Sequence, residues 1–379
     1  MKPPVPIRAA VEKMRAYNPP LEGRTKKIRL DFNENPIGCS PKVRRALAKL
    51  AATDICSYPE QETVRRTVAR NFGVHPAELL LTNGTDEALH VIVGTFVEPA
   101  DSVLIVEPTY AMYRFYSELA GARLLAPRYS AEMQFPWKEV LGLLGCSASA
   151  PVSGSGHGYR LTGNDGGQAP RAPAPPRVFF LPNPNSPTGN LLSPADIRRI
   201  LDAATQTMVV IDEAYFEFSG VTVIPWIHRY ANLIVTRTFS KTAGLAGLRL
   251  GCIFANHDLA ASLRKSQSPY PVNVAALAAA EAAMRDRAFI ARTVREVKAA
   301  RSLLERGLSR LGVLYFPSGG NFLLVYFGAR AKKIVAALDR EGILLRDRSS
   351  DFAGDGYVRI TVGTPPQITR LLRALEPLL

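Results

Sequence analysis

The chain has 379 residues, 47% hydrophobic and 21% charged, and a formal net charge of +14. That length exceeds one ordinary core and predicts two domains; the composition is that of a water-soluble globular protein, with no apolar run of membrane-spanning length. Cys39, Cys56, Cys146 and Cys252 are scattered without a CxxC pair and the five histidines lack metal-ligand spacing, so neither a disulfide framework nor a metal site is expected.

Met1-Lys2-Pro3-Pro4-Val5-Pro6 lacks the apolar core of a signal peptide, which with the cysteine usage predicts a cytoplasmic protein. The basic residues are dispersed and have no aromatic interleaving. Their charge fits small anionic ligands, or an arginine-rich genome, better than nucleic acid.

In chain order, residues 1–30 predict an arm: a helix from Ala9 to Tyr17, a break at Asn18-Pro19-Pro20, then a basic turn. Residues 31–38 form a loop by their Asn, Pro and Gly content. Ser40-Pro41 starts a helix to about Leu50, with Ser as cap and Pro at the first helical position. Tyr58-Pro59-Glu60 is a turn. Residues 79–82 read as a strand, and Asn83-Gly84 leads into a helix starting near Thr85. Free N–H groups and a positive dipole end make that start a phosphate seat, although plain capping explains the same pattern.

Residues 103–106 are the next strand. Tyr110 follows it, placed either to stack on a flat ring or to pack as a core residue. Residues 145–177, rich in Gly, Ser, Ala and Pro, predict a flexible surface insertion. A strand resumes at 177–181, Asn183–Gly189 closes it, and Ser193-Pro194 opens a helix to about Ala204.

Two strands then end in chemistry. Val209-Val210-Ile211 runs into Asp212, and a carboxylate at such a strand end faces the ligand crevice of an α/β sheet. A helix cap is the plainer alternative. Tyr215 is placed to reach a ring hydroxyl. Leu233-Ile234-Val235-Thr236 leads to Ser240 and Lys241, with Arg249 eight positions on and Gly244 and Gly247 permitting close approach. A lysine in a loop is ordinarily a surface residue. Beside a hydroxyl, an arginine and a strand-end acid, it suits pyridoxal phosphate. Lysine condenses with the aldehyde, hydroxyl and guanidinium hold the phosphate, and the acid keeps the ring nitrogen protonated.

The alternation of strand and helix from 75 to 255 predicts an α/β fold with a mostly parallel sheet. After Pro271 one long amphipathic segment is expected to about Leu311. Strands at 321–325, 342–346 and 357–362, with helices at 331–341 and at the end of the chain, make a smaller α+β domain. The expected division is 1–45 (arm and part of the small domain), 46–270 (large domain) and 271–379.

Nine motifs now stand in order: NENP at 33–36, YPE at 58–60, NGTDEA at 83–88, PTYAMY at 108–113, NPNSPTG at 183–189, DEAY at 212–215, RTFSKTAGLAGLRLG at 237–251, PYPVN at 269–273 and RITVGT at 359–364. The chain resembles the fold-type I pyridoxal-phosphate aminotransferases, and within them the histidinol-phosphate aminotransferases, over nearly its whole length except 145–177.

That resemblance implies a seven-stranded sheet in the large domain. It implies that Lys241 carries the cofactor and moves a proton, that Asp212 pairs with the ring nitrogen, that Tyr215 bonds the ring oxygen and that Tyr110 stacks on the ring. Gly84, Thr85, Ser240 and Arg249 would hold the cofactor phosphate, which Tyr58 would reach from the other subunit of a homodimer with composite sites. Where the family has Asn before Pro-Thr-Gly this chain has Ser186, so Asn185 is expected to take the ring-oxygen contact. Arg346 and Arg359, with Tyr17 from the partner's arm and Tyr270, would hold a substrate phosphate. The implied reaction passes an amino group between L-histidinol phosphate and 2-oxoglutarate in histidine biosynthesis. Threonine-phosphate decarboxylation and aromatic or branched-chain amino transfer are the rivals on this scaffold.

Overall fold

Short apolar runs of Val, Ile and Leu build the larger of two sheets in this computed structural model, which describes residues 4–145, 174–352 and 354–379. The insertion expected at 145–177 lies almost wholly outside the described residues. Seven strands run in the order Leu79–Thr82, Gly251–Phe254, Leu233–Thr238, Met208–Asp212, Val178–Pro182, Ser102–Leu104, Arg123–Leu125. All pairs are parallel except the two made by Gly251–Phe254.

The central strands are covered on both faces, which is why they read as continuous apolar runs. One cluster takes Phe179, Leu181, Val209, Ile211 and Val235; the opposite one takes Val178, Phe180, Val210 and Ile234. Consecutive residues thus feed opposite cores, as the pleat requires.

The second sheet has five strands in the order Ile28–Leu30, Ile343–Asp347, Tyr357–Thr361, Phe322–Tyr326, Leu314–Phe316, and only its first pair is parallel. The arm therefore supplies an edge strand to a sheet made otherwise from the far end of the chain. Helices Arg287–Arg310, Ala331–Arg340 and Pro365–Leu375 back it, burying Leu304, Leu308, Ile334, Leu338, Ile368 and Leu371.

Two expectations change. The single segment from Pro271 to Leu311 is two helices, Val274–Met284 and Arg287–Arg310, separated at Arg285 and Asp286. The first packs Ala276, Leu277, Ala279 and Ala280 into the larger sheet's core. The helix expected over 9–17 spans Ala9–Lys13 and buries none of its residues, so little tertiary packing supports further turns.

Helix starts match the sequence closely. Ser40 and Ser193 cap Pro41–Leu47 and Pro194–Ala203, each with Pro at the first position. Among the described residues no helix is long and apolar enough to cross a membrane.

Candidate active site

The carboxyl ends of Val178–Pro182, Met208–Asp212 and Leu233–Thr238 open onto a cavity of about 270 Å³, lined among others by Tyr110, Asp212, Tyr215, Ser240, Lys241 and Arg249. Ligand crevices lie at such strand ends in α/β sheets. Asp212 is 4% exposed. Its Oδ2 accepts from the Tyr113 hydroxyl at 2.7 Å and its Oδ1 from the Ala214 N–H at 3.2 Å. Burial pushes its pKa up to about 6, and these donors hold it from rising further. Tyr113 stacks on Phe180 with centroids 5.2 Å apart, so its phenol is a fixed donor. Burial and the Asp212 charge keep that phenol well above its ordinary range.

Lys241 lies three residues past its strand. Its Nζ donates to the Phe32 carbonyl at 3.1 Å and sits 5.8 Å from the centre of the Tyr215 ring. The Tyr215 hydroxyl accepts from Asn33 Nδ2 at 2.9 Å. Asn33 is in the left-handed region at φ 53°, and Thr361 Oγ1 donates to its Oδ1 at 3.0 Å. The arm thus ties the Tyr215 phenol to the second sheet.

At the other end of the cavity, helix Gly84–Phe96 presents its N-terminus, and Thr85 joins Ser240 and Arg249 on the wall. Gly84 has φ 72°, and a Cβ there would lie 2.6 Å from Arg249 Nη2. Glycine therefore lets the guanidinium close onto the helix end, where dipole and free N–H groups favour an anion. Asp86 spans two of the expected residues: its Oδ2 pairs with Arg249 Nη2 at 2.9 Å, and its Oδ1 accepts from the Tyr110 hydroxyl at 2.8 Å.

The strands are locked behind the site by a buried pair. Glu213 Oε2 accepts from Arg237 Nη2 at 2.7 Å, and that guanidinium lies 3.2 Å over the Phe216 ring. Removing one partner of a buried pair leaves the other charge uncompensated. Arg237→Ala is therefore expected to cost roughly 3–5 kcal/mol in urea unfolding at pH 7, and a loss below 1 kcal/mol would contradict that account.

Not every expected residue reaches the cavity. Asn185 does not line it. Its Nδ2 donates to the Pro108 carbonyl at 2.9 Å and to Thr188 Oγ1 at 2.7 Å, and its Oδ1 accepts from Thr109 Oγ1 at 2.8 Å. Both amide hydrogens and the amide oxygen are engaged in joining two loops, and Ser186 lies on the wall where Asn185 is expected from the sequence. Tyr17, expected from a partner's arm, lies close enough to Tyr110 and Arg359 of its own chain to bear on the charge of both. The arm folds back over its own cleft, with Leu21 and Arg24 on the cavity wall. Tyr58 and Tyr270 are 77% and 62% exposed. They stack on each other at 4.2 Å, away from their own chain's cavity.

Arg346 and Arg359 face each other across an antiparallel pair. Arg359 is 9% exposed; its Nη2 donates to the Asp31 carbonyl at 2.5 Å, its Nη1 to Ser186 Oγ at 3.1 Å, and its buried Nε has no partner. Burial first, then the like charges of Arg348 and Arg346, bring its pKa down to about 10. The Arg346 guanidinium lies 5.5 Å from the centre of the Phe32 ring.

A lysine at a strand end, a buried acid on the cavity floor and an arginine closing a helix N-terminus define an enzyme that holds a phosphorylated aldehyde cofactor. The residues present fit pyridoxal phosphate: the buried Asp212 carboxylate calls for a cation such as a protonated ring nitrogen, and the Gly84 cradle admits a phosphate. The chain belongs to the aminotransferase class I and II family, whose model matches residues 25–375.

Among its relatives, a histidinol-phosphate aminotransferase of Symbiobacterium thermophilum is 33% identical, the match covering 98% of each chain. A histidinol-phosphate aminotransferase of Sinorhizobium meliloti, solved with pyridoxal-5'-phosphate, superposes with a TM-score of 0.84 at 23% identity, covering 98% of this chain and 97% of that one. The L-threonine-O-3-phosphate decarboxylase of Porphyromonas gingivalis superposes with a TM-score of 0.75 at 25% identity, covering 92% and 98%.

Proposed function

We propose that this aminotransferase passes an amino group between L-histidinol phosphate and 2-oxoglutarate, with pyridoxal phosphate held at Lys241, as a step of histidine biosynthesis. One observation carries the substrate choice: Arg346 and Arg359 stand opposite each other behind the cavity wall, Arg359 bonded to Ser186 and Arg346 over Phe32 of that wall, and Arg359 keeps a buried Nε without a partner. Histidinol phosphate has no carboxylate but carries a phosphate dianion, and two guanidiniums match that charge. The curated relatives of that name, at 33% identity, support the reading.

The bound cofactor supplies an electron sink for the bonds at the substrate's α-carbon. The remaining work falls to the chain. Asp212, oriented by Tyr113, holds the proton on the ring nitrogen. Tyr215, oriented by Asn33, would donate to the ring oxygen, and Tyr110 on the same wall would pack on the ring. Gly84, Thr85, Ser240 and Arg249 seat the cofactor phosphate. Lys241 anchors the cofactor and then moves a proton at the substrate's α-carbon. Arg346 and Arg359, with Tyr17, would hold the substrate phosphate and so orient the substrate's α-carbon toward Lys241.

The exposed Tyr58–Tyr270 stack supports a homodimer in which these rings meet the partner's site. The free thiols of Cys39, Cys56 and Cys252 are consistent with a cytoplasmic enzyme.

A substrate panel tests the reading. Histidinol phosphate is expected to give a higher kcat/KM than phenylalanine, and threonine phosphate is expected to release no carbon dioxide. Carbon dioxide release, or phenylalanine as the better donor, would overturn it.

The pH behaviour of Asp212 gives a second check. Its folded pKa of about 6 exceeds the ordinary 3.8. Its contribution to stability without cofactor is therefore fully present below the ordinary value and lost as pH rises through about 6. At pH 7.5 the cofactor-free Asp212→Asn variant should be more stable than the parent, on the order of 2 kcal/mol. Cofactor affinity should fall in the same variant because the ring nitrogen loses its counter-ion. Urea melts with and without cofactor read both effects, and shifts of the same sign would contradict the account.

A further inference from the structure

The arginine pair does not stand alone. Arg348 follows Arg346 by two positions, its N–H still bonded across the sheet to the Tyr357 carbonyl at 2.8 Å. Asp351 ends the turn Ser349–Asp351. Its N–H donates to the Arg348 carbonyl at 2.9 Å, its carboxylate pairs with the Arg348 guanidinium, and Arg128 Nη2 donates to its carbonyl at 2.6 Å. The two side chains are 11% and 23% exposed, so the pair is poorly screened by solvent. Burial raises the Asp351 pKa, while Arg348, Arg359 and Arg346 oppose that rise, which places all three guanidiniums within its electrostatic reach. The nearby Asp347 carboxylate is turned to the Ser349 N–H at 2.8 Å. Asp351 and Arg348 line a second cavity of about 310 Å³ that shares Tyr110 with the cavity holding Lys241 and Asp212.

We infer that Asp351 is a specificity-determining residue: a built-in counter-anion that, with Arg348, sets the charge of the Arg346–Arg359 site to match a phosphate dianion. Arg346, Arg348 and Arg359 against the Asp351 carboxylate leave two positive charges, the complement of that dianion, and the Arg128 guanidinium and Asp347 carboxylate beside them add one charge of each sign. This rests on the reading of the arginine pair as a phosphate site. Asp351 weakens anion binding and Arg348 strengthens it, so the two side chains have opposite signs of effect although they form one ion pair.

The test is calorimetric titration of the holoenzyme with inorganic phosphate at pH 8 and low salt. Asp351→Asn is expected to tighten phosphate roughly five-fold and Arg348→Gln to weaken it by about as much, the size of one charge removed at a few ångströms in a partly screened site. KM for the phosphorylated donor should move with each Kd. A merely structural pair would weaken phosphate in both variants, with kcat falling, and that result would overturn the inference. Phosphate that is lost in Arg359→Ala yet unmoved by Asp351→Asn would overturn this inference alone. Phosphate that does not bind the parent, or binds Arg359→Ala equally, would overturn the phosphate-site reading as well.

Discussion

Lys241→Ala is expected to lower kcat by roughly 10^4-fold, the upper range for removing one positioned acid–base group. The size follows from two tasks resting on one amine. Lys241 Nζ is the cavity's only lysine nitrogen among the described residues, bonded to the Phe32 carbonyl at 3.1 Å. No neighbouring base replaces it: Tyr215 is engaged by Asn33 and Asp212 by Tyr113. The variant should still take up cofactor, because Gly84, Thr85, Ser240 and Arg249 are untouched. Single-turnover assays on cofactor-loaded protein check this, and a loss under ten-fold would show that Lys241 does not move the proton.

Arg359→Ala should lower kcat/KM for the phosphorylated donor by roughly 100-fold, as expected when a buried charge-assisted contact is removed. The unphosphorylated analogue should lose less than about three-fold, since it never makes that contact. The ratio of the two losses carries the argument, because Arg359 also bonds the Asp31 carbonyl and Ser186, and any loosening there affects both substrates alike. Arg359→Lys keeps the charge but not the planar fork, and should recover only part of the difference. Equal losses for both substrates would remove the phosphate contact from this residue.

Much of the site was legible because its key groups end apolar strands. Asp212 and Lys241 follow runs buried on both faces, and such runs announce a strand and its end together. What orients them was not legible. Tyr113 meets Asp212 across 99 positions and Asn33 meets Tyr215 across 182, and no local pattern encodes either meeting. The three-residue strands Ile28–Leu30, Arg123–Leu125 and Leu314–Phe316 are too short to show a period of two. The choice between Asn185 and Ser186 depends on which side chain Pro108, Thr109 and Thr188 claim, a matter of loop packing. Arg348 and Asp351 passed unnoticed because a charged turn after a strand ordinarily faces water. The burial of Asp351, its pairing with Arg348 and the packing of Arg128 against its carbonyl set it apart, and all three are tertiary.

The most direct test of the central claim is borohydride reduction of the purified protein followed by peptide mass mapping. The account predicts loss of the long-wavelength absorbance and one phosphopyridoxyl group, carried by the peptide containing Lys241. A label on any other lysine, or none on a protein active in amino transfer, would contradict it.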